Sequence, residues 1–360
     1  MPDVKNDFAT IDISSHTIKD VMNNIESQKM FLPCIQRDFI WETDRIYKLL
    51  DSIMRGFPIG TIMIWETDEQ VNYRYFETNY SPANVNNDFM PVDDNETITR
   101  QYVLDGQQRL QSLYIALRGS YNNRKLFFDL RSAPSTYYFF NFQNPRVRVD
   151  GWINVRNFLQ KTFNSEDDIR NELISSGIIS SDCTPDERDL MSRNAKRLYD
   201  VFKEIKNIPI QKLTNVQLQD IAEIFIRTNS GGIVLVPEDL IMATITGRWI
   251  SEDRRFSELM DNIARLGFNN PRGFIIQACC AMLLQVTGNN MAIHGRFDEV
   301  RCALAQNAAE INDSIVDVLD IVSQFDAVRR FATPHNNPIF ILIAYRYAHG
   351  KDQWEAHKDV

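Results

Sequence analysis

Gln101-Tyr102-Val103-Leu104-Asp105-Gly106-Gln107-Gln108-Arg109-Leu110 reads as a strand that ends on a carboxylate, a glycine that turns the chain, and a helix that opens on polar residues. Leu110, Leu113, Tyr114 and Leu117 recur at helical spacing and give that helix its apolar stripe, and Gly119 marks its end. The first turn of a helix carries amide groups without intrahelical partners, and the dipole adds positive potential, so such a junction suits an anion. Gly106 lets a ligand come close to the backbone. Arg109 offers a planar fork for phosphate oxygens. That charge-assisted contact is worth about 1.5–3 kcal/mol against ~0.3–1 for the dipole, so Arg109 carries the larger share. Asp105 has three candidate roles: holding a metal-bound water, activating a nucleophile, or fixing Arg109. Packing does not need two adjacent glutamines, Gln107 and Gln108, at a helix start, which favours a polar site. The same residues also suit a plain helix start, with Asp105 as its N-cap and Arg109 on the surface.

Upstream, the periodicity predicts a helix over 17–25, with Thr17 as its cap and Ile18, Val21, Met22 and Ile25 inward. Residues 31–37 are expected to be extended because of Pro33. Thr43 is expected to cap a second helix that carries Ile46, Leu49, Leu50 and Ile53 and stops at Gly56. A buried strand follows over 61–65. Residues 67–97, rich in Asn and Asp, read as a long exposed loop with one strand around 73–76. Downstream come aromatic-rich strands over 125–130 and 137–142 and a further segment from Trp152. Beyond 160 the pattern turns mostly helical, with a capping box from Thr214 and Gln217 for a helix over 216–227. The fold class is therefore α+β, with a mixed α/β domain over 1–160 and a mostly helical domain over 161–360.

A chain of 360 residues with 44% hydrophobic residues can bury a sizeable core. Its net charge of -9 does not mark a nucleic-acid binder as a whole. The charge is uneven, however. Residues 67–97 hold seven acidic and one basic residue, whereas 100–156 hold nine basic and three acidic, a local net of +6. Such a stretch can make a phosphate-attracting face or merely a solvated surface. The five cysteines are scattered without metal-site spacing, so they read as small buried hydrophobes. The apolar run over 338–345 is too short to span a bilayer and reads as a buried helix. No secretory signal is visible at the N-terminus, which leaves a cytoplasmic location as the expectation.

Two further motifs stand out. In Gln36-Arg37-Asp38-Phe39-Ile40-Trp41 an extended chain points Phe39 and Trp41 to one side, so the set could grip a phosphate while walling off a base, or could serve as a core anchor and a salt bridge. In Phe225-Ile226-Arg227-Thr228-Asn229-Ser230-Gly231-Gly232 a helix runs into an open glycine turn, which could bind a nucleotide or simply end the helix.

In this order, LPCIQRDFIW, YVLDGQQRL and FIRTNSGG resemble the N-terminal domain family of GmrSD-type restriction endonucleases, and DSIMRGFPIGTIMIWE resembles its segment between the first two motifs. The resemblance spans roughly 18–246. It implies a ParB/sulfiredoxin-like core and a domain that binds and hydrolyses nucleoside triphosphate, GTP or ATP with Mg2+, in defence against phage DNA, often modified DNA. By the same resemblance Asp105, Gly106, Gln107, Gln108 and Arg109 form the nucleotide site, with Asp105, Gln108 and Arg109 as its catalytic members. Gln36 and Arg37 join that cleft or sense DNA, Phe39 and Trp41 shape it, and Phe225 and Asn229 close it. Relatives often carry an HNH nuclease half. The late histidines His294, His335, His349 and His357 lack a ββα-metal setting, so the nuclease is expected on a separate subunit or a C-terminal half. A departure is Cys34-Ile35, where relatives often place a tyrosine second. The resemblance leaves open an oligomer, a ParB-like DNA-binding module without catalysis, and a direct nuclease with Asp105 as a metal ligand.

Overall fold

The computed structural model describes residues 10–33, 39–69, 71, 73–83, 90, 98–133, 135–147, 149–217, 221, 224, 254–265, 271–285, 297–324 and 338–357. In chain order the elements are β1 (Thr10–His16), α1 (Ile18–Glu26), β2 (Met30–Pro33), α2 (Thr43–Arg55), β3 (Ile62–Thr67), β4 (Tyr73–Arg74), β5 (Asn79–Tyr80), β6 (Arg100–Asp105), α3 (Gln107–Arg118) and β7 (Ser120–Tyr121). There follow β8 (Lys125–Asp129), β9 (Phe140–Gln143), β10 (Trp152–Asn154), α4 (Val155–Gln160), α5 (Glu166–Ser175), α6 (Pro185–Tyr199), a wide π-helical turn (Asp200–Glu204) and β11 (Ile208–Thr214). Further along, the described residues form α7 (Arg254–Arg265), α8 (Pro271–Leu284), α9 (Phe297–Val322) and α10 (Ile339–His357). The protein is α+β.

A six-stranded mixed sheet in the order β1-β11-β3-β6-β2-β4 organises the first part of the chain. β2 runs parallel to β6, β3 antiparallel to β6, and β11 parallel to β3. Alternation along the strands divides the side chains between two faces. Ile62, Ile64, Val103, Met30 and Ile210 point into the larger core with α1, α2 and α3. Trp65, Tyr102, Phe31 and Leu213 line the opposite face and meet Val216 and Ile221. The polar tips on that face are satisfied by carbonyls: Trp65 Nε1 donates to Val216 (3.0 Å) and the Tyr102 hydroxyl to Val71 (2.9 Å). β10, β8 and β9 form a separate antiparallel sheet.

The caps explain the helix boundaries. Thr17 accepts from the Asp20 amide at 3.0 Å, as its position predicts. Thr43 differs from expectation: it is the first helical residue, and Glu42 occupies the cap position without a side-chain capping bond. Gly56 ends α2 in the left-handed region, with φ 75°. Thr184 with Glu187 and Ser165 with Asp168 form capping boxes on α6 and α5.

Three expectations are corrected. The expected loop over 67–97 is not exposed throughout: Val71, Phe76 and Tyr80 are buried, while the strand expected around 73–76 is present as β4 beside β2, and residues 84–89 and 91–97 lie outside the described residues. The larger core also takes in elements beyond 160. α5, α6 and the π-helical turn pack into it, and β11 inserts between β1 and β3. Thr214 is therefore the last residue of β11, opposite Thr10, rather than a helix cap. Finally, the apolar run from Pro338 buries one face only: Ile339, Phe340 and Ile343 are inside while Ile341 and Leu342 are exposed.

The later helices α7, α8, α9 and α10 share a hydrophobic cluster of their own. α9 is interrupted at Asn307 and α10 at Gly350. Cys279 and Cys280 lie in this cluster as free, buried thiols, in keeping with their reading as small hydrophobes. Burial pushes the Cys280 thiol up to about 12. No helix among the described residues is long and apolar enough to cross a membrane.

Candidate functional site

Parallel pairing of β2 with β6 brings their carboxyl ends to one end of the sheet. The chain leaving β2 runs into the first motif and the chain leaving β6 into the second. Because β3 is antiparallel to β6, with Met63 opposite Asp105, the turn through Ile59 and Gly60 arrives at the same end. Crevices at the carboxyl ends of strands are the usual place for a ligand in such sheets.

At the junction itself Gly106 is the N-cap of α3, with φ 89° and ψ 9°. This left-handed turn is one that glycine takes without strain, and a β-carbon there would also push on the tip of the Ile62 side chain, 2.3 Å from its Cδ1. Asp105 is thus the last strand residue and not the helix cap. Arg109, in the first turn of α3, reaches back to it, with Nη2 2.8 Å from Asp105 Oδ2. Its Nη1 donates to the Ile59 carbonyl at 2.6 Å. The guanidinium lies against Gly60, where a β-carbon would come within 2.6 Å of Nη1. The Arg109 side chain is 17% exposed and that of Asp105 50%. Of the three roles open to Asp105, the geometry displays the fixing of Arg109. The more exposed partner is the carboxylate.

Gln108 is buried, and its Oε1 accepts from the backbone amide of Ile40 at 3.0 Å. One side chain of the second motif thereby holds the end of the first. Phe39 is buried in the core, edge-on to Tyr80 with ring centroids 4.8 Å apart, and Trp41 is partly buried against the same core. Gln107 is buried as well. Gln36, Arg37, Phe225 and Asn229 lie outside the described residues.

Two further residues belong to this junction. Gln111 is buried one turn beyond Gln108, accepting from the Glu77 amide at 3.0 Å and donating to the Glu77 carbonyl at 2.7 Å. Tyr80 donates its hydroxyl to the Phe39 carbonyl at 3.0 Å. The signal for Gln111 was present, since a third glutamine on a helix with apolar neighbours needs backbone partners once buried. Tyr80 had no local signal in its polar setting.

The local basic excess is largely tied into the fold. Arg118 pairs with Glu26 (3.2 Å), Arg131 with Asp150 (2.6 Å) and Arg109 with Asp105. Arg156 donates to the Arg118 carbonyl and Lys125 to the Gly119 carbonyl, while Arg100 sits over the Tyr73 ring. These six side chains hold elements together, which weighs against a phosphate-attracting face built from this stretch.

Residues 18–246 match the family described as "GmrSD restriction endonuclease, N-terminal domain". The chain belongs to that family. The matched segment contains the whole mixed sheet from β2 onwards and all three motifs. The chain is also similar to an uncharacterised protein of Methanocaldococcus jannaschii, with 25% identity over 295 residues, covering 70% of this chain and 45% of that protein. The chain therefore spans less than half the length of this curated relative.

Proposed function

We propose that this chain is the nucleotide-handling module of a restriction-type phage-defence system, acting in the cytoplasm. It binds ATP or GTP and couples hydrolysis to recognition of foreign DNA, plain or modified. The observation that carries this reading is the bond from Gln108 to Ile40, because it sets the first two family motifs side by side at the carboxyl ends of parallel strands. Gly106 and the first turn of α3 supply an approach for phosphate, Arg109 a cation already oriented by Asp105, and Asp105 a carboxylate open to solvent. The work of such a site is positioning and charge neutralisation.

Magnesium suits this donor set in one specific way. Among the described residues no cluster of three His, Cys, Asp or Glu side chains converges. Asp105 is the residue that would hold the ion beside a bound nucleotide, and the ion would supply neutralisation of phosphate charge. DNA cleavage in such a system is assigned to an HNH nuclease on a separate subunit or a further half of the protein.

The test is hydrolysis of ATP and GTP by the purified protein, with and without modified DNA. Wild-type hydrolysis that is lost in Arg109→Ala and Asp105→Asn, with both variants folded, is the expected result. Hydrolysis by Arg109→Ala at the wild-type rate removes the site assignment. DNA binding without any nucleotide hydrolysis, weakening steeply with salt, would favour a non-catalytic DNA-binding module instead.

A further inference from the structure

The peptide group between Phe39 and Ile40 is held at both of its polar atoms by side chains distant in sequence. Its carbonyl accepts from the Tyr80 hydroxyl at 3.0 Å, and its amide donates to Gln108 Oε1 at 3.0 Å. Two such bonds on opposite sides of one planar unit fix the rotation of that plane, and so the placing of Ile40 beside Gln108.

Tyr80 can do this because its own segment is strapped to α3. Gln111 binds both backbone groups of Glu77. The Thr78 carbonyl accepts from the Ser120 amide at 2.9 Å, and the Tyr80 carbonyl from the Asn122 amide at 2.8 Å. The strap crosses the end of α3 so closely that a β-carbon on Gly119 would lie 1.7 Å from the Thr78 oxygen. Gly119 is the C-cap of α3 with φ -117°, so its lack of a side chain is required by this crossing and not by a left-handed turn. The Tyr80 ring is further fixed between Phe39 and Tyr121, with centroids 4.8 and 5.3 Å away.

We infer that Tyr80 is a positioning residue of the candidate nucleotide site: through the 39–40 peptide its hydroxyl holds Ile40, at the end of the first motif, against Gln108 of the second. Its effect is exerted through that peptide and not by contact with the nucleotide. The inference rests on the functional reading given above and assigns a role outside its three motifs.

The variant that isolates the hydroxyl is Tyr80→Phe, which keeps both ring contacts. Tyr121→Phe is the control, changing a neighbouring phenol that does not touch the 39–40 peptide. Binding of Mg2+-ATP and Mg2+-GTP is measured by calorimetry, together with KM and kcat and amide exchange at Ile40. One neutral hydrogen bond corresponds to about a fivefold change in an equilibrium constant. Tyr80→Phe is expected to weaken nucleotide binding and raise KM about fivefold, leave kcat within twofold, and speed exchange at Ile40. Tyr121→Phe is expected to change none of these. If the wild type binds nucleotide and Tyr80→Phe binds it equally well, the positioning role is overturned and the functional reading stands. If the wild type binds neither nucleotide, the functional reading falls and the positioning role with it. A merely structural role for the hydroxyl would lower the melting temperature without moving KM, and that result also overturns the inference.

Discussion

Arg109 and Asp105 face each other across the Gly106 turn, with Nη2 2.8 Å from Oδ2, yet the two ends of the pair sit in different surroundings. The arginine is mostly enclosed and also serves the Ile59 carbonyl, while half of the carboxylate is in water. Removing each partner should therefore cost different amounts. Arg109→Ala strips the Ile59 carbonyl of its donor and is expected to destabilise the fold by about 1–3 kcal/mol. Asp105→Asn keeps an acceptor in place and breaks only a partly screened pair, for a loss of about 0–1 kcal/mol. Urea unfolding of the two variants checks this. Equal losses would mean that the ion pair, and not the Ile59 contact, anchors Arg109. The same difference makes Asp105→Asn the cleaner probe of activity.

Gly119 and Gly177 separate two reasons for needing glycine. Gly177 has φ +71°, but a β-carbon there would meet nothing within 4 Å, whereas Gly119 has an ordinary φ and the Thr78 oxygen only 1.7 Å from where its β-carbon would sit. Gly177→Ala should cost about 1–2 kcal/mol from left-handed strain alone. Gly119→Ala must move a backbone strap and should cost more, roughly 3 kcal/mol or above, in line with overpacking at a site that cannot yield. Thermal unfolding ranks them, and a milder effect for Gly119→Ala would contradict the close crossing of the strap.

Glu66 gives the sheet a pH dependence. Burial alone would raise its carboxyl, but hydrogen bonds from Gln101 (2.7 Å) and Lys212 (3.0 Å), with the lysine charge, outweigh that and hold it below the ordinary value. A group lowered on folding adds stability above its unfolded pKa, about 4.3 for glutamate, and loses it as pH falls through the lower folded value. Glu66→Gln should be less stable than the wild type near neutral pH, and the gap should close below about pH 4. A gap that is constant from about pH 7 to about pH 3 would show that the charge on Glu66 contributes nothing.

Local chemistry explains what was legible in the sequence. Thr17, Gly56 and the Asp105-Gly106 junction announce their elements because a cap, a left-handed stop and a strand-to-helix turn each need specific residue types. β11 was hidden by Pro209, which reads as a breaker. In the sheet Pro209 lies opposite Ser15 of β1, one residue before pairing with β3 begins at Ile210, so its missing amide costs little there. Residues 67–83 look polar because their order comes from distant partners: Gln111 for Glu77, and Phe39 for Tyr80. The second motif could be picked out by its residues. Its contact with the first could not, because Gln108 and Ile40 meet only through the parallel pairing of β2 and β6.

Arg346 offers a last test, in the later helices. Its side chain is 1% exposed and bridges two residues on one face of α9: Nη1 lies 2.6 Å from Glu310 Oε1 and Nε 2.7 Å from Asp317 Oδ2. The carboxylates keep contact with water, at 47% and 21% exposure, while the guanidinium does not. Removing the arginine leaves two anions that can still hydrate. Removing both anions leaves a guanidinium that is cut off from solvent. Breaking a buried pair costs most when the stranded charge cannot reach solvent, about 3–5 kcal/mol. The double variant Glu310→Gln/Asp317→Asn should therefore destabilise α9 and α10 more than Arg346→Met, whose expected loss is about 1–2 kcal/mol because methionine refills part of the volume. Hydrogen exchange over the two helices measures both. The opposite ranking would mean that the desolvated charge in this cluster is a carboxylate rather than the guanidinium.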